Sequence, residues 1–179
     1  MSVVYPVPRL LANPRLFLAI SNYLGGVFDS DVLRDVFYDL LEAEVNELPD
    51  EECQFLAEEV CFEVEDEGRV FNIYFDTGSS MKVEATEEGY ESQITSEFEM
   101  ATASAVNNRL ICAIEESHPE LKDDIAFEHP PTPGNGFLSS KDGFSGSFHL
   151  RSDPNKKYAF TITIVDPDTD HLEAEVRPL

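Results

Sequence analysis

The chain has 179 residues and carries 36 Asp and Glu against 12 Lys and Arg, a net charge of −24. That length suits one domain, or two very small ones, and 42% hydrophobic residues with 13 Phe supply a packed core and exclude whole-chain disorder. A pI near 4.2 excludes direct nucleic-acid binding and docking on anionic lipid, since both need basic patches.

The opening Met-Ser-Val-Val-Tyr-Pro-Val-Pro-Arg holds two prolines where a secretory signal would have a continuous apolar core. The longest apolar run near the start, Leu16 to Ile20, is far short of the ~18–20 residues that span a bilayer. The expectation is a soluble, cytoplasmic protein with no membrane partner. Residues 1–14, with Pro6, Pro8 and Pro14, read as an extended arm. Pro14 suits a first helical residue after an Asn13 cap, and predicts a short helix to about Leu24 that Gly25-Gly26 breaks.

Asp29-Ser30-Asp31 opens the clearest helix, running to about Leu48, with acids in a first turn where the helix dipole favours them. Leu33, Val36, Phe37, Leu40, Leu41, Glu44 and Leu48 follow helical spacing, and all but Glu44 are apolar. Asp31, Asp35, Asp39 and Glu42 fall on the opposite side. Pro49 ends the helix, and a short helical turn is expected over residues 50–57. Residues 59–66 alternate, with Val60, Phe62 and Val64 facing one way and Glu59, Glu63 and Glu65 the other. Strands are expected over 70–76 (Phe71, Ile73 and Phe75 inward, Val70 and Tyr74 outward), 81–86 (Lys82 and Glu84 outward) and 90–95. Together they make an antiparallel meander with an acidic outer face.

Residues 96–117 read as a second long helix, with Phe98, Ala101, Ala105, Leu110, Ile111 and Ile114 as its apolar contacts. A short strand over 125–129, a loop over 130–143 and strands over 144–151, 157–165 and 171–177 follow. Asp153-Pro154-Asn155 and Asp166-Pro167-Asp168 make the turns. The order predicts an α+β fold with two long helices packed on antiparallel β-meanders. Residues 1–28 form an N-terminal arm and short helix, and 29–179 a single α+β domain. Two short matches suggest an α-βββ unit used twice, over 29–95 and 96–179. Leu40-Leu41-Glu42-Ala43 resembles Leu110-Ile111-Cys112-Ala113, and the run from Phe71 to Phe75 resembles that from Phe160 to Ile164.

Catalytic and cofactor signals are weak. Asp166-Pro167-Asp168-Thr169-Asp170 has the spacing that opens a calcium loop, but His171 and Arg177 stand where Gly and Glu are required, so a hairpin turn is the better reading. Gly134-Asn135-Gly136 with Ser139-Ser140-Lys141 fails the phosphate-loop pattern. His118, His129, His149 and His171 never pair at zinc-ligand spacing. Cys53, Cys61 and Cys112 are odd in number with no CxxC, which suits buried reduced thiols. The expectation is a protein without catalytic residues, metal or cofactor.

Charge placement is the stronger signal. Residues 29–100 hold 23 acids and three bases, and no base lies between Arg34 and Arg69, where 14 acids fall. A solvated surface that gives solubility is the bland explanation. Yet like charges within a Debye length of ~8 Å repel, so clustering costs stability, and adaptation to high salt would acidify the whole surface. Outward residues two apart on a strand are ~6.6 Å apart, and residues four apart on a helix ~6 Å, intervals similar to those of backbone phosphates. The candidate partner surface is therefore Asp31, Asp35, Asp39, Glu42, Glu59, Glu63, Glu65 and Glu84. It would meet a basic protein, with a nucleic-acid-handling enzyme as the leading candidate, and act as a mimic. In size and charge the chain resembles acidic anti-restriction and anti-CRISPR proteins and nuclease-immunity proteins. Its element order resembles type III secretion chaperones, which implies dimers and an apolar binding surface, for which Val70 and Tyr74 are candidates.

Overall fold

The computed structural model describes residues 3–48, 55–127, 144–165 and 171–179. The expected turn over 50–57 (for residues 50–54), the loop at 130–143, the Asp166-Pro167-Asp168 turn, Pro49, Cys53 and His129 lie outside the described residues. The order is β1 (Tyr5–Pro6), α1 (Val7–Leu11), α2 (Pro14–Leu24), α3 (Ser30–Asn46), β2 (Leu56–Ala57), β3 (Val60–Glu65), β4 (Val70–Phe75), β5 (Ser80–Ala85), β6 (Tyr90–Thr95), α4 (Glu99–Ser117), β7 (Ile125–Phe127), β8 (Phe144–Leu150), β9 (Lys157–Ile164) and β10 (Leu172–Pro178). This is an α+β fold.

Local chemistry sets the helix starts. The Asn13 side chain accepts from the Arg15 N–H at 2.9 Å, with Pro14 as first helical residue of α2. One Asp29 carboxylate oxygen accepts the N–H groups of Asp31 and Val32, both at 3.0 Å, and opens α3. That helix stops at Asn46, two residues before the expected end. The second long segment becomes helical at Glu99 and not at Ser96. Ser96 Oγ instead accepts from the Phe98 N–H and from Thr102 Oγ1, each at 3.0 Å, so it is held in a turn.

The described residues 3–14 do not form an extended arm. Tyr5–Pro6 pairs with Leu56–Ala57 as a two-stranded ribbon, and Val7–Leu11 is a helical turn. Val7, Leu10 and Leu11 are fully buried. Pro8 falls inside the first turn, where its missing N–H costs no hydrogen bond, and the apolar side chains around it bind the segment to the interior.

Both larger sheets are four-stranded antiparallel meanders, ordered β3-β4-β5-β6 and β10-β9-β8-β7. On the first, Phe71, Ile73, Phe75, Met81, Val83 and Ile94 point inward and are buried. Helix α2 packs on β4 and β5, and α4 on β9 and β10. Phe17 of α2 meets Phe144 of β8 while Tyr23 meets Phe71 of β4, so α2 spans from one sheet to the other. The buried apolar residues form one continuous cluster that includes the N-terminal segment and both sheets. Each fully buried Leu, Ile or Phe contributes ~1.5–3 kcal/mol.

A long helix precedes a meander in each half, α3 of 17 residues and α4 of 19. The two sequence matches do not combine into one repeat. The match between Phe71–Phe75 and Phe160–Ile164 equates β4, second of its sheet, with β9, third of its own.

Candidate functional site

Helix α3 turns Leu33, Phe37, Leu40, Leu41 and Glu44 into the core. At 100° per residue the opposite side falls to Asp31, Asp35, Asp39 and Glu42, all exposed. Asp31 pairs with Arg34 at 3.1 Å. On the first sheet the register places Glu65, Val70, Glu84 and Glu91 in one row across the solvent face, and Glu63, Asn72, Lys82 and Gln93 in the next. Glu59, Glu63 and Glu65 are exposed; Glu84 is half-buried and pairs with Lys82 at 3.0 Å. The Tyr74 phenol is pushed above its usual value, first by burial and then by the charges of Glu63 and Glu65 and by Cys61, with Lys82 opposing.

These acids form two surfaces. Phe37 on the inward side of α3 packs against Phe62, whose side chain lies on the inner face of the sheet, at a ring separation of 5.2 Å. The strand carboxylates point away from that contact on one side and the helix carboxylates on the other. The structure joins Glu63, Glu65 and Glu84 on one sheet face and Asp31, Asp35, Asp39 and Glu42 on one helix face, with the helix–sheet layer between them.

Three sequence expectations need correction here. Phe62 and Val64 are not interior; they are 44% and 46% exposed, because among the described residues β3 is an edge strand with a neighbour on one side only. Val70 points outward as expected but is buried, since it lies between the long side chains of Glu65 and Glu84 on the flanking strands. Cys61 and Cys112 are exposed thiols, one on the solvent face of β3 and one on the outer side of α4.

The backbone of β3 is directional. Asp76 N–H donates to the Glu59 carbonyl at 3.2 Å, and Phe75 N–H turns the other way, to Ser79 at 2.9 Å. Antiparallel pairing alternates the side on which each residue bonds. Cys61, Glu63 and Glu65 therefore bond to β4, and the N–H and C=O groups of Val60, Phe62 and Val64 face the open edge.

A second polar feature is internal. Glu44, the one charged residue among the inward positions of α3, is 3% exposed. Its Oε1 accepts from Asn13 Nδ2 at 2.9 Å and from Arg109 Nη2, while Arg9 Nη1 lies 3.7 Å from Oε2. One carboxylate thus joins the N-terminal segment, α3 and α4. Arg9 and Arg109 also line a cleft of about 680 Å³ with Glu47, Asn108, Cys112 and Glu116. The sequence signal for Glu44 was its place in an otherwise apolar stripe; nothing in the spacing pointed to Asn13, Arg9 or Arg109 as its partners.

Among the described residues no three His, Cys, Asp or Glu side chains gather closely enough to hold a metal ion. No helix there is long and apolar enough to cross a membrane. His118 lies with Nε2 3.1 Å from the Ala174 carbonyl oxygen and Nδ1 3.3 Å from Glu120. The chain matches no family model, no curated protein and no solved structure.

Proposed function

We propose that this is a non-enzymatic binding protein that captures a basic protein partner through the acidic surface of residues 29–100, and so keeps that partner from nucleic acid. The observation that carries the reading is the solvent face of the first sheet. There the register sets exposed Glu65 in one row with Glu84 and Glu91, and exposed Glu63 in the next with Lys82, which pairs with Glu84. The exposed row Asp31, Asp35, Asp39 and Glu42 adds a second anionic surface. Fixed carboxylates at such spacing attract basic grooves and speed encounter, with a steep dependence on salt.

The test is competition. A panel of basic nucleases and polymerases is assayed for binding to a labelled duplex with and without the protein, across a salt series. At least one should release the duplex, with the effect fading as salt rises. Reversing Asp35, Asp39, Glu63 and Glu65 together to Lys should abolish it; a complex indifferent to that change rejects the reading. The exposed apolar residues Phe62, Val64 and Tyr38 support a second reading, an acidic chaperone for unfolded segments. Binding of that kind survives ~1 M salt, where the screening length is ~3 Å.

A further inference from the structure

We propose that the open edge of β3 receives an added antiparallel strand from the partner, an extended segment in which apolar and basic residues alternate. The inference rests on the acidic-binder reading and names the chemistry of what binds.

Three observations converge on this edge. The outward-facing backbone groups of Val60, Phe62 and Val64 have no backbone partner among the described residues, and so offer a template for strand addition. Phe62 and Val64 are exposed at 44% and 46%, and of the sheet-edge strands described, β3 is the one that exposes large apolar side chains. On the other face of the same strand stand Glu63 and Glu65, with Glu59 directly before it, all exposed.

Antiparallel geometry then dictates the partner's pattern. Residues opposite Val60, Phe62 and Val64 exchange backbone hydrogen bonds with them and share their apolar face. Residues opposite Glu63 and Glu65 fall in the non-bonded pairs, where side chains approach most closely. Basic side chains are favoured there.

The same charges argue against a second copy of this chain as occupant. Antiparallel self-pairing that keeps the apolar faces together sets Glu63 against Glu63 or Glu65. The same-face register centred on Phe62 sets Glu59 against Glu65. Like charges directly opposite are destabilising, so the acids guard the edge against self-association while leaving it open to a cationic strand.

The probe is a fluorescent peptide of about eight residues, a usual strand length, alternating Lys and Val. Its controls are a block peptide of equal composition and alternating peptides N-methylated at the valines or at the lysines. In low salt the alternating peptide should bind the full-length protein about tenfold or more tightly than the block peptide, and valine methylation should erase that advantage while lysine methylation should not. The double variant Glu63→Lys, Glu65→Lys should weaken binding about tenfold, as two opposed pairs lost would. By NMR hydrogen exchange, the amides of Val60, Phe62 and Val64 should exchange fast in the free protein and become protected by the peptide. Equal binding of alternating and block peptides, with no new protection at those three amides, overturns the strand and leaves the acidic-binder reading standing. A concentration-dependent dimer that protects them without peptide overturns it in favour of a second copy. Failure of both cationic peptides to bind overturns this inference and the parent reading together.

Discussion

Removing the Glu44 carboxylate should destabilise the fold more than removing any surface acid. The group is 3% exposed, and it holds Asn13 Nδ2 at 2.9 Å, Arg109 Nη2 by a charged hydrogen bond and Arg9 at 3.7 Å. Breaking a buried ion pair on one side costs ~3–5 kcal/mol, because the remaining charge stays desolvated. Here the arginine side chains retain 22% and 24% exposure, so part of their hydration returns. Glu44→Ala should therefore lie at the low end, about 3 kcal/mol. For a chain of this length that lowers Tm by roughly 6–12 °C. Glu44→Gln keeps the shape and one acceptor and should cost about half as much, through lost charge. The exposed neighbour Glu42→Ala should stay within ~0.5 kcal/mol. In a double-mutant cycle the coupling of Glu44 to Arg109 should exceed its coupling to Arg9, which makes the longer contact. Urea denaturation and thermal circular dichroism read the stabilities. Exchange of the Val7–Leu11 amides should also quicken, since Arg9 lies in that turn and Asn13 follows it. A Glu44→Ala variant melting within about 2 °C of the parent would refute the reasoning and reduce the cluster to a rim contact.

Two pH effects follow from single groups. Asp124 accepts from Ser152 Oγ at 2.6 Å and from the Ser152 N–H at 2.7 Å, and these bonds hold its carboxyl below the usual value despite some desolvation. A lowered folded pKa adds stability that is present above the unfolded value, near 3.8, and is lost as pH falls through the folded one. Asp124→Asn should thus be less stable than the parent at neutral pH and converge with it in acid; a gap that is constant down through pH ~3 contradicts this assignment. The Tyr74 phenol should fall toward 10.0 in a Glu63→Gln, Glu65→Gln variant, yet stay above it because burial, the larger cause, persists. Carbon NMR of the tyrosine ring measures it, and an unmoved value would mean that the two carboxylates do not face Tyr74.

Signals carried by a few neighbouring residues were legible in the sequence. The Asn13-Pro14 start, the Asp29 cap, and the inward residues Phe71, Ile73, Phe75, Met81 and Val83 all follow from local hydrogen bonding or two-residue periodicity. Signals set by distant packing were not. The proline content of residues 1–14 reads as extended chain because propensity cannot report that Val7, Leu10 and Leu11 find a core to enter. Likewise Val60, Phe62 and Val64 alternate as well as Phe71, Ile73 and Phe75 do, and alternation alone cannot distinguish an edge strand from a central one. The thiols of Cys61 and Cys112 went the same way: buried cysteine is the common case, and the exposed faces of β3 and α4 are fixed by what packs on the other side.

The same limit applies to the acids, and it shapes the functional reading. Sequence spacing alone allows one continuous anionic surface over residues 31–84; packing separates it into a helix face and a sheet face. What the sheet face has beyond charge is the open backbone of β3 and the side chains of Phe62 and Val64 at its margin. A surface that combines a hydrogen-bonding edge, apolar contacts and carboxylates can discriminate by register as well as by charge, since a one-residue slip would bring a cationic strand's lysines onto the apolar face. Specificity for a basic partner would then come from the geometry of one strand, with the remaining acids of residues 29–100 acting at longer range on the rate of encounter.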